Sequence, residues 1–442
     1  MMRLSRLLFM LLPFVFVFIN CSKDETPTPD SDSKEEPKPE EPNGPESEVY
    51  FTYNHKDNSF PEDWIVIHDA SGNLLDYRQI DDIPSVDFSI SKNNVPNNIA
   101  VTLFSARITE DGTNPTYKIN TYTNIKTGSI WDKTVDIYEH QPPIIGHFKL
   151  TVNNLPGNYI AGATRINVGT SKGFIFEQPH FTAQGDGKTS VTLLSVPIHE
   201  NEDCLISIYD QENNHKYMLL QSPLNEGDIV LDYVDFDEYD SYLKFLLPEH
   251  NNYFLTTIAY SEENPNYFYK SNFLSWTIRP TWDNKAIAGY IDSYAKFQTI
   301  FNIYLDDYGY SYSRSGSKVE SIDIPQKPAF KIIKDQVSDF EFESDKSYLR
   351  KTVQWLYRTF ETDSRNTEWN VNSSGGNTHV LGGLPQEIVE KYPTLGLDKM
   401  ELNEVKLYYN GYSYDEFINI IHSSYTERGE MITEYFNFRD FD

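Results

Sequence analysis

Phe148-Lys149-Leu150-Thr151-Val152 alternates apolar and polar residues one by one. A period of two puts Phe148, Leu150 and Val152 on one face of an extended strand, and Lys149 and Thr151 on the other. The alternation returns in Val405, Leu407 and Tyr409, just before Asn410-Gly411, a dipeptide that favours a tight turn. Leu205 to Tyr209 is apolar except for Ser207, the pattern of a strand buried on both faces. Turn signals recur at Ser71-Gly72-Asn73, Asp111-Gly112, Asn114-Pro115, Asp186-Gly187 and Asn264-Pro265. Short strands at this turn density predict an all-β chain of tandem β-sandwich modules, Ig-like or transthyretin-like.

Outward from these strands the chain resembles itself. Glu62-Asp63-Trp64-Ile65-Val66-Ile67 is similar to Glu202-Asp203-Cys204-Leu205-Ile206-Ser207. Asn114-Pro115-Thr116-Tyr117 is similar to Asn264-Pro265-Asn266-Tyr267, and Trp131-Asp132-Lys133 to Trp282-Asp283-Asn284-Lys285. His147-Phe148-Lys149 then matches Lys296-Phe297-Gln298, so four short likenesses run in one order, which predicts a duplicated module. They also decide an ambiguous stretch. Ile287, Tyr290, Tyr294, Phe297, Phe301 and Tyr304 have helical spacing, but the likeness to Phe148–Val152 predicts strand over 296–305. Helix signals come late. Pro385 opens a two-turn helix ending at Lys391, and Ser413 with Glu416 forms a capping box before Phe417, Ile420 and Ile421. The expected map is 1–20, 21–47, sandwich 48–145, β module or connecting sheet 146–198, second sandwich 199–315, and a distinct β-rich module 316–442 with one or two short helices.

Composition bounds the partners. The 442 residues carry 37 Lys and Arg against 66 Asp and Glu, a net charge of −29. That balance argues against nucleic acid, which needs clustered cations. Two cysteines rule out a disulfide framework or a Cys-rich zinc module. Aromatic residues are 14% of the chain, enough to build cores.

The N-terminus carries an address. Arg3 and Arg6 precede an apolar run from Leu7 to Ile19, too short to span a bilayer and of the length found in secretory signals. Cys21 follows directly. Residues 22–47 hold six Pro, nine Asp or Glu and three Lys with no aromatic or aliphatic residue, the composition of an open spacer. Cys21-Ser22-Lys23-Asp24-Glu25 resembles the start of Bacteroidota surface-exposed lipoproteins, although Phe18-Ile19-Asn20 replaces the usual small residues before the cysteine. The resemblance covers about the first 25 residues. It implies signal cleavage, acylation of Cys21 and display on the outer face of the outer membrane.

Signatures of chemistry are missing. There is no Gly-x₄-Gly-Lys-Ser/Thr, Gly-x-Gly-x-x-Gly, His-Glu-x-x-His or Gly-x-Ser-x-Gly. No metal or cofactor is expected, and the ten His are scattered. The acidic run Asp232, Asp235, Asp237, Glu238 and Asp240 lacks a calcium-loop spacing and reads as a solvated edge. Cys204 reads as a small core residue. Two aromatic features suit a hydroxyl-rich ligand. Residues 253–312 are aromatic-rich, and Tyr308, Tyr310 and Tyr312 would share one strand face as a platform; the alternative is that the rings pack the core. Asp363 to His379 holds Arg365, Asn366, Glu368, Trp369, Asn370, Asn372 and Asn377, a polar segment with one Trp. Its alternative is a strand with Trp369 and Val371 inward, ended by a glycine turn.

The expected role is non-catalytic: capture or scaffolding of a glycan or peptide nutrient at the outer membrane, beside a transporter. Two other classes stand against it. One is a hydrolase with its site in 316–442; the other is an adhesin or envelope-structural protein.

Overall fold

The computed structural model describes residues 47–55, 63–80, 84–108, 114–133, 143–157, 166–170, 173–174, 179–209, 214–250, 252–260, 271–280, 285–359, 365–376, 378–422 and 430–439. Cys21, the apolar run before it, Asp111-Gly112, Asn264-Pro265, Trp282, Asp363 and Asn377 lie outside the described residues.

The chain is all-β, and residues 47–442 form one compact unit. Its spine is a twelve-stranded sheet. In spatial order the strands are Ser271–Pro280, Asn252–Tyr260, Lys296–Tyr304, Tyr308–Gly316, Met431–Phe438, Glu401–Asn410, Arg350–Thr359, Arg365–Ser374, Thr116–Lys126, Asn98–Arg107, Asp63–Asp69 and Leu74–Ile80. Neighbours are antiparallel except where Arg365–Ser374 runs parallel to Thr116–Lys126, with Asn366 opposite Thr116 and Asn370 opposite Asn120. This parallel seam joins the N-terminal strands to the C-terminal ones.

Alternation along each strand gives the sheet two different faces. One face carries Trp64, Phe104, Tyr117, Trp369, Val353, Trp355, Val405, Phe436, Tyr310, Phe301 and Tyr253 in a single apolar core. Phe340 and Phe342 from the small sheet Phe330–Asp335, Asp339–Ser344 and Thr378–Val380 cover its middle, with Ile388 of helix α1 (Gln386–Lys391). Two further cores are sandwiches. Ile65, Ile67 and Val101, on the opposite face of the long sheet, pack against Phe51, Phe88 and Trp131 of the three-stranded sheet Ser85–Ser91, Ser47–His55 and Ser129–Lys133. Phe148, Leu150, Val152 and Val191 pack against Ile166, Val168, Cys204, Ile206 and Ile208.

Cys204–Tyr209 is buried at every position, as its apolar run predicts. Ile206 faces the second sandwich and Leu205 the long core. This strand pairs with both Ile166–Thr170 and His215–Leu220, so the second sandwich takes in residues on both sides of the expected boundary at 198/199. Where both members of a likeness lie among the described residues, the apolar residues are buried in both: Trp64 and Cys204, and Phe148 and Phe297. Their sheets differ. Trp64 and Phe297 sit in the long sheet, Cys204 and Phe148 in the second sandwich. Residues 296–304 form a strand, as the likeness to Phe148–Val152 predicts.

Both α-helices among the described residues fall in the C-terminal part. Pro385 is the residue before α1 rather than its first. Helix α2, Tyr414–His422, opens with the capping box: Ser413 N and Oγ donate to Glu416 Oε2 at 2.9 and 2.8 Å. No helix among the described residues is long and apolar enough to cross a membrane.

One close approach is built on a missing side chain. A Cβ on Gly289 would lie 2.2 Å from the Tyr239 ring. Tyr239 is buried and donates to Ser207 Oγ at 2.9 Å, so it cannot swing away without breaking that bond. Gly289→Ala is therefore expected to cost about 1–3 kcal/mol by overpacking. A thermal midpoint equal to the parent's would contradict the packing described.

Candidate functional site

The strand Arg365–Ser374 puts its side chains alternately on the two faces of the long sheet. Thr367, Trp369 and Val371 enter the core, while Asn366, Glu368, Asn370 and Asn372 take the other face. Trp369 is buried, and its Nε1 donates to Thr121 Oγ1 at 2.9 Å. It belongs to the core and not to a ligand surface, because it is one residue out of phase with the amides that flank it. Asn366 and Asn370 are partly exposed.

Register brings partners to them from neighbouring strands. Asn370 lies opposite Gln354 on one side and Asn120 on the other. Gln354 Nε2 donates to Glu368 Oε1 at 3.0 Å and to Asn370 Oδ1 at 3.2 Å. Asn370 Nδ2 donates to Glu368 Oε1 at 2.7 Å and to Asn120 Oδ1 at 3.2 Å. Asn403 Nδ2 donates to Gln354 Oε1 at 2.5 Å, and Arg358 Nε to Asn366 Oδ1 at 3.1 Å. Four neighbouring strands, about 4.8 Å apart, thus carry an amide row roughly 14 Å long.

Beyond Gln354 the row reaches Glu404, which is buried and held by three cationic or amide donors. Asn437 Nδ2 lies 2.6 Å and Arg439 Nε 2.8 Å from Oε1, and Lys406 Nζ 2.5 Å from Oε2. Burial pushes the Glu404 carboxyl up, and Lys406 and Arg439 outweigh it, so the pKa falls below the ordinary carboxylate value. Asn120, Gln354, Glu368, Asn370 and Asn403 all keep some exposure. Each primary amide has two donors and an acceptor with two lone pairs. The bonds above use both N–H donors of Asn370 and Gln354 and leave each one acceptor lone pair, while donors remain on Asn120 and Asn403. Helix α2 packs on the same face, where Phe417 and Tyr408 lie 4.1 and 3.3 Å from the Arg350 guanidinium. The three-stranded sheet borders the row at its Asn120 end, where Leu103 lies opposite Asn120.

The tyrosine platform is not formed. Tyr310 and Tyr312 lie on the core side of Tyr308–Gly316 and are buried. Tyr310 is fully buried and donates to Glu434 Oε1 at 2.5 Å. Burial, and next the Glu434 bond, drive its pKa far above the usual phenol value. Tyr308 is half-buried, under Lys327 Nζ at 5.4 Å.

Arg365 stands apart from the amides. It lines a cleft of about 350 Å³ on the core side of the sheet's rim, with Tyr357, Val389, Thr394, Asp398 and Lys399. Sequence reading finds Arg365, Asn366 and Asn370 but misses Gln354, Asn120, Asn403, Tyr357 and Lys399, which join them only through strand pairing and the loop after α1.

The remaining expectations fall on structural positions. Among the described residues no three His, Cys, Asp or Glu side chains come together to hold a metal. Asp232 Oδ1 accepts from Val234 N at 3.2 Å, and Asp240 Oδ2 from Asp292 N at 2.7 Å, so both acids fasten turns. Cys204 is buried in its apolar strand, and burial pushes its thiol up to about 12, which keeps it protonated and inert.

No family model matches the chain, and no curated protein matches it. Among solved structures it is similar to a Ca²⁺-stabilised adhesin with which an Antarctic bacterium binds ice, at 8% identity and a TM-score of 0.12 over 86% of this chain and 91% of that one. It is also similar to a tetra-tandem repeat from the extending region of a large adhesion protein. There the identity is 9% and the TM-score 0.11, over 89% of this chain and 99% of that one. Superpositions of that quality carry no argument about this chain. The reading of function rests on the site itself.

Proposed function

We propose that the chain is a lipid-anchored protein of the bacterial cell surface that captures a neutral glycan on the polar face of its long sheet. The observation that carries this is the amide row Asn120, Asn370, Gln354 and Asn403, joined by Glu368 and partly exposed. Sugar hydroxyls both donate and accept, and primary amides answer both needs without charge. A flat row on rigid strands also meets an extended ligand at low ordering cost. Anchoring rests on the sequence: the apolar run Leu7 to Ile19, Cys21 after it, and the acidic spacer.

Affinity electrophoresis of residues 47–442 through gels holding neutral polysaccharides tests the capture. One glycan is expected to retard the parent. Asn370→Ala with Gln354→Ala should weaken that retardation about ten-fold, since two ligand hydrogen bonds are worth at least about 1.4 kcal/mol together. No retardation on any glycan, with adherence to host or neighbouring cells, would move the reading to an adhesin. Turnover of a glycan or peptide would move it to a hydrolase. Anchoring has its own readout. Cys21→Ala should abolish incorporation of labelled fatty acid and change the signal-cleavage product; unchanged labelling would end the lipoprotein reading.

A further inference from the structure

We propose that the Arg365 cleft is a second ligand site, which takes the carboxylate of an acidic sugar such as a uronic acid. It is independent of the amide row, because Arg365 and Tyr357 sit on the core-facing side of their strands while Asn370 and Gln354 sit on the other.

The cleft is built before any ligand arrives. Thr367 Oγ1 donates to Leu395 O at 2.7 Å, and Tyr117 Oη lies 2.6 Å from Thr394 Oγ1, so the loop after α1 is pinned to two strands. Gly396, with φ of +61°, lays bare backbone against the Tyr357 ring, where a Cβ would come within 2.4 Å. Lys399 Nζ sits 5.7 Å from the centre of the same ring. Tyr357 is thereby fixed as a partly exposed aromatic surface.

Charge then selects the ligand. The half-buried Arg365 makes no side-chain hydrogen bond or ion pair among the described residues. A guanidinium holds a carboxylate through two parallel bonds, and among the described lining residues Lys399 adds a second cation against one acid, Asp398. A volume of about 350 Å³ falls within the range of small-molecule sites, about 300–1,000 Å³. The Tyr357 ring and exposed Val389 offer apolar surface to the C–H faces of a pyranose, and the charge carries its carboxylate.

Titration of the full chain, purified in detergent, with D-glucuronate, D-glucose and acetate tests this by calorimetry or ligand-observed NMR. Glucuronate is expected to bind at least ten-fold more tightly than either of the others. Arg365→Ala should weaken it ten-fold or more, and Val389→Glu, which adds a like charge at an exposed rim position, should do the same without touching the core. Asn370→Ala should leave it unchanged. Glucose binding as tightly would remove the carboxylate from the argument, and acetate binding as tightly would remove the sugar. Undiminished glucuronate binding in both cleft variants, or no glucuronate binding to the parent, would overturn the site while leaving the amide-row reading as it stands.

Discussion

Trp369→Ala is expected to lower the free energy of unfolding by about 3–5 kcal/mol, the cost of emptying a buried indole site. Trp369 is 5% exposed and packed in the long core with Val353, Val371 and Trp355. Its Nε1–H is bonded to Thr121 Oγ1, but Thr121 also has Thr102 Oγ1 at 2.9 Å. Thr121 therefore keeps a partner when the indole is removed, and the cavity, not an orphaned hydroxyl, dominates the loss. Urea unfolding followed by far-UV circular dichroism measures it, and a change below about 1 kcal/mol would contradict the burial. Asn370, one residue away and partly exposed, should cost no more than about 1 kcal/mol when changed to Ala. The pair separates stability from binding. Lost glycan binding in the Trp369 variant would report a damaged sheet, whereas lost binding in the Asn370 variant would report a contact.

That contrast shows how far the sequence alone can be read. Period two in Phe148–Val152 and Val405–Leu407 and the apolar run Leu205–Tyr209 state which residues are buried, and the structure buries them, while Tyr409 stays half-buried at its strand end. The capping box at Ser413 is local, so it too is legible. Alternation does not name the strand lying alongside. Nothing near Asn370 in sequence announces Asn120, which is 250 residues away, or the parallel pairing that brings it there. The aromatic candidates fail for a related reason. A Trp or Tyr in a polar segment looks conspicuous in composition, yet the phase of the strand decides its face. Trp369 and Tyr310 are both in the buried phase. The cleft is half legible: Arg365 stands out in a polar segment, whereas Lys399 and Tyr357 reach it by tertiary contact alone.

Acidification from pH 7 to pH 5 is expected to remove about 4 kcal/mol of stability through two buried histidines. His379 lies between Phe340 and Trp355, with ring centres 5.3 and 5.7 Å away. His422 stacks on Trp131 at 3.6 Å and meets Tyr122 edge-on. Burial lowers both to about 3, and at His379 the neighbouring Lys351 adds to it. Lys351 is itself lowered by burial to about 8, so across this window it remains a cation facing His379. Unfolded, each imidazole titrates near about 6.5. Below that value the unfolded chain takes up a proton at each site that the native chain refuses. The stability they contribute is therefore complete above about 6.5 and falls with pH by about 1.4 kcal/mol per unit per histidine, down to about 3. His68, also lowered by burial, moves in the same direction. Carboxylates titrate mainly below pH 5, so the window from pH 7 to pH 5 isolates the imidazoles. His422→Phe keeps a flat ring against Trp131 and should remove about 2 kcal/mol of the pH 7-to-5 loss. Urea unfolding at pH 7, 6 and 5 on parent and variant measures both slopes. A variant as acid-sensitive as the parent would mean that His422 is not buried neutral, and an insensitive parent would mean the same of both histidines.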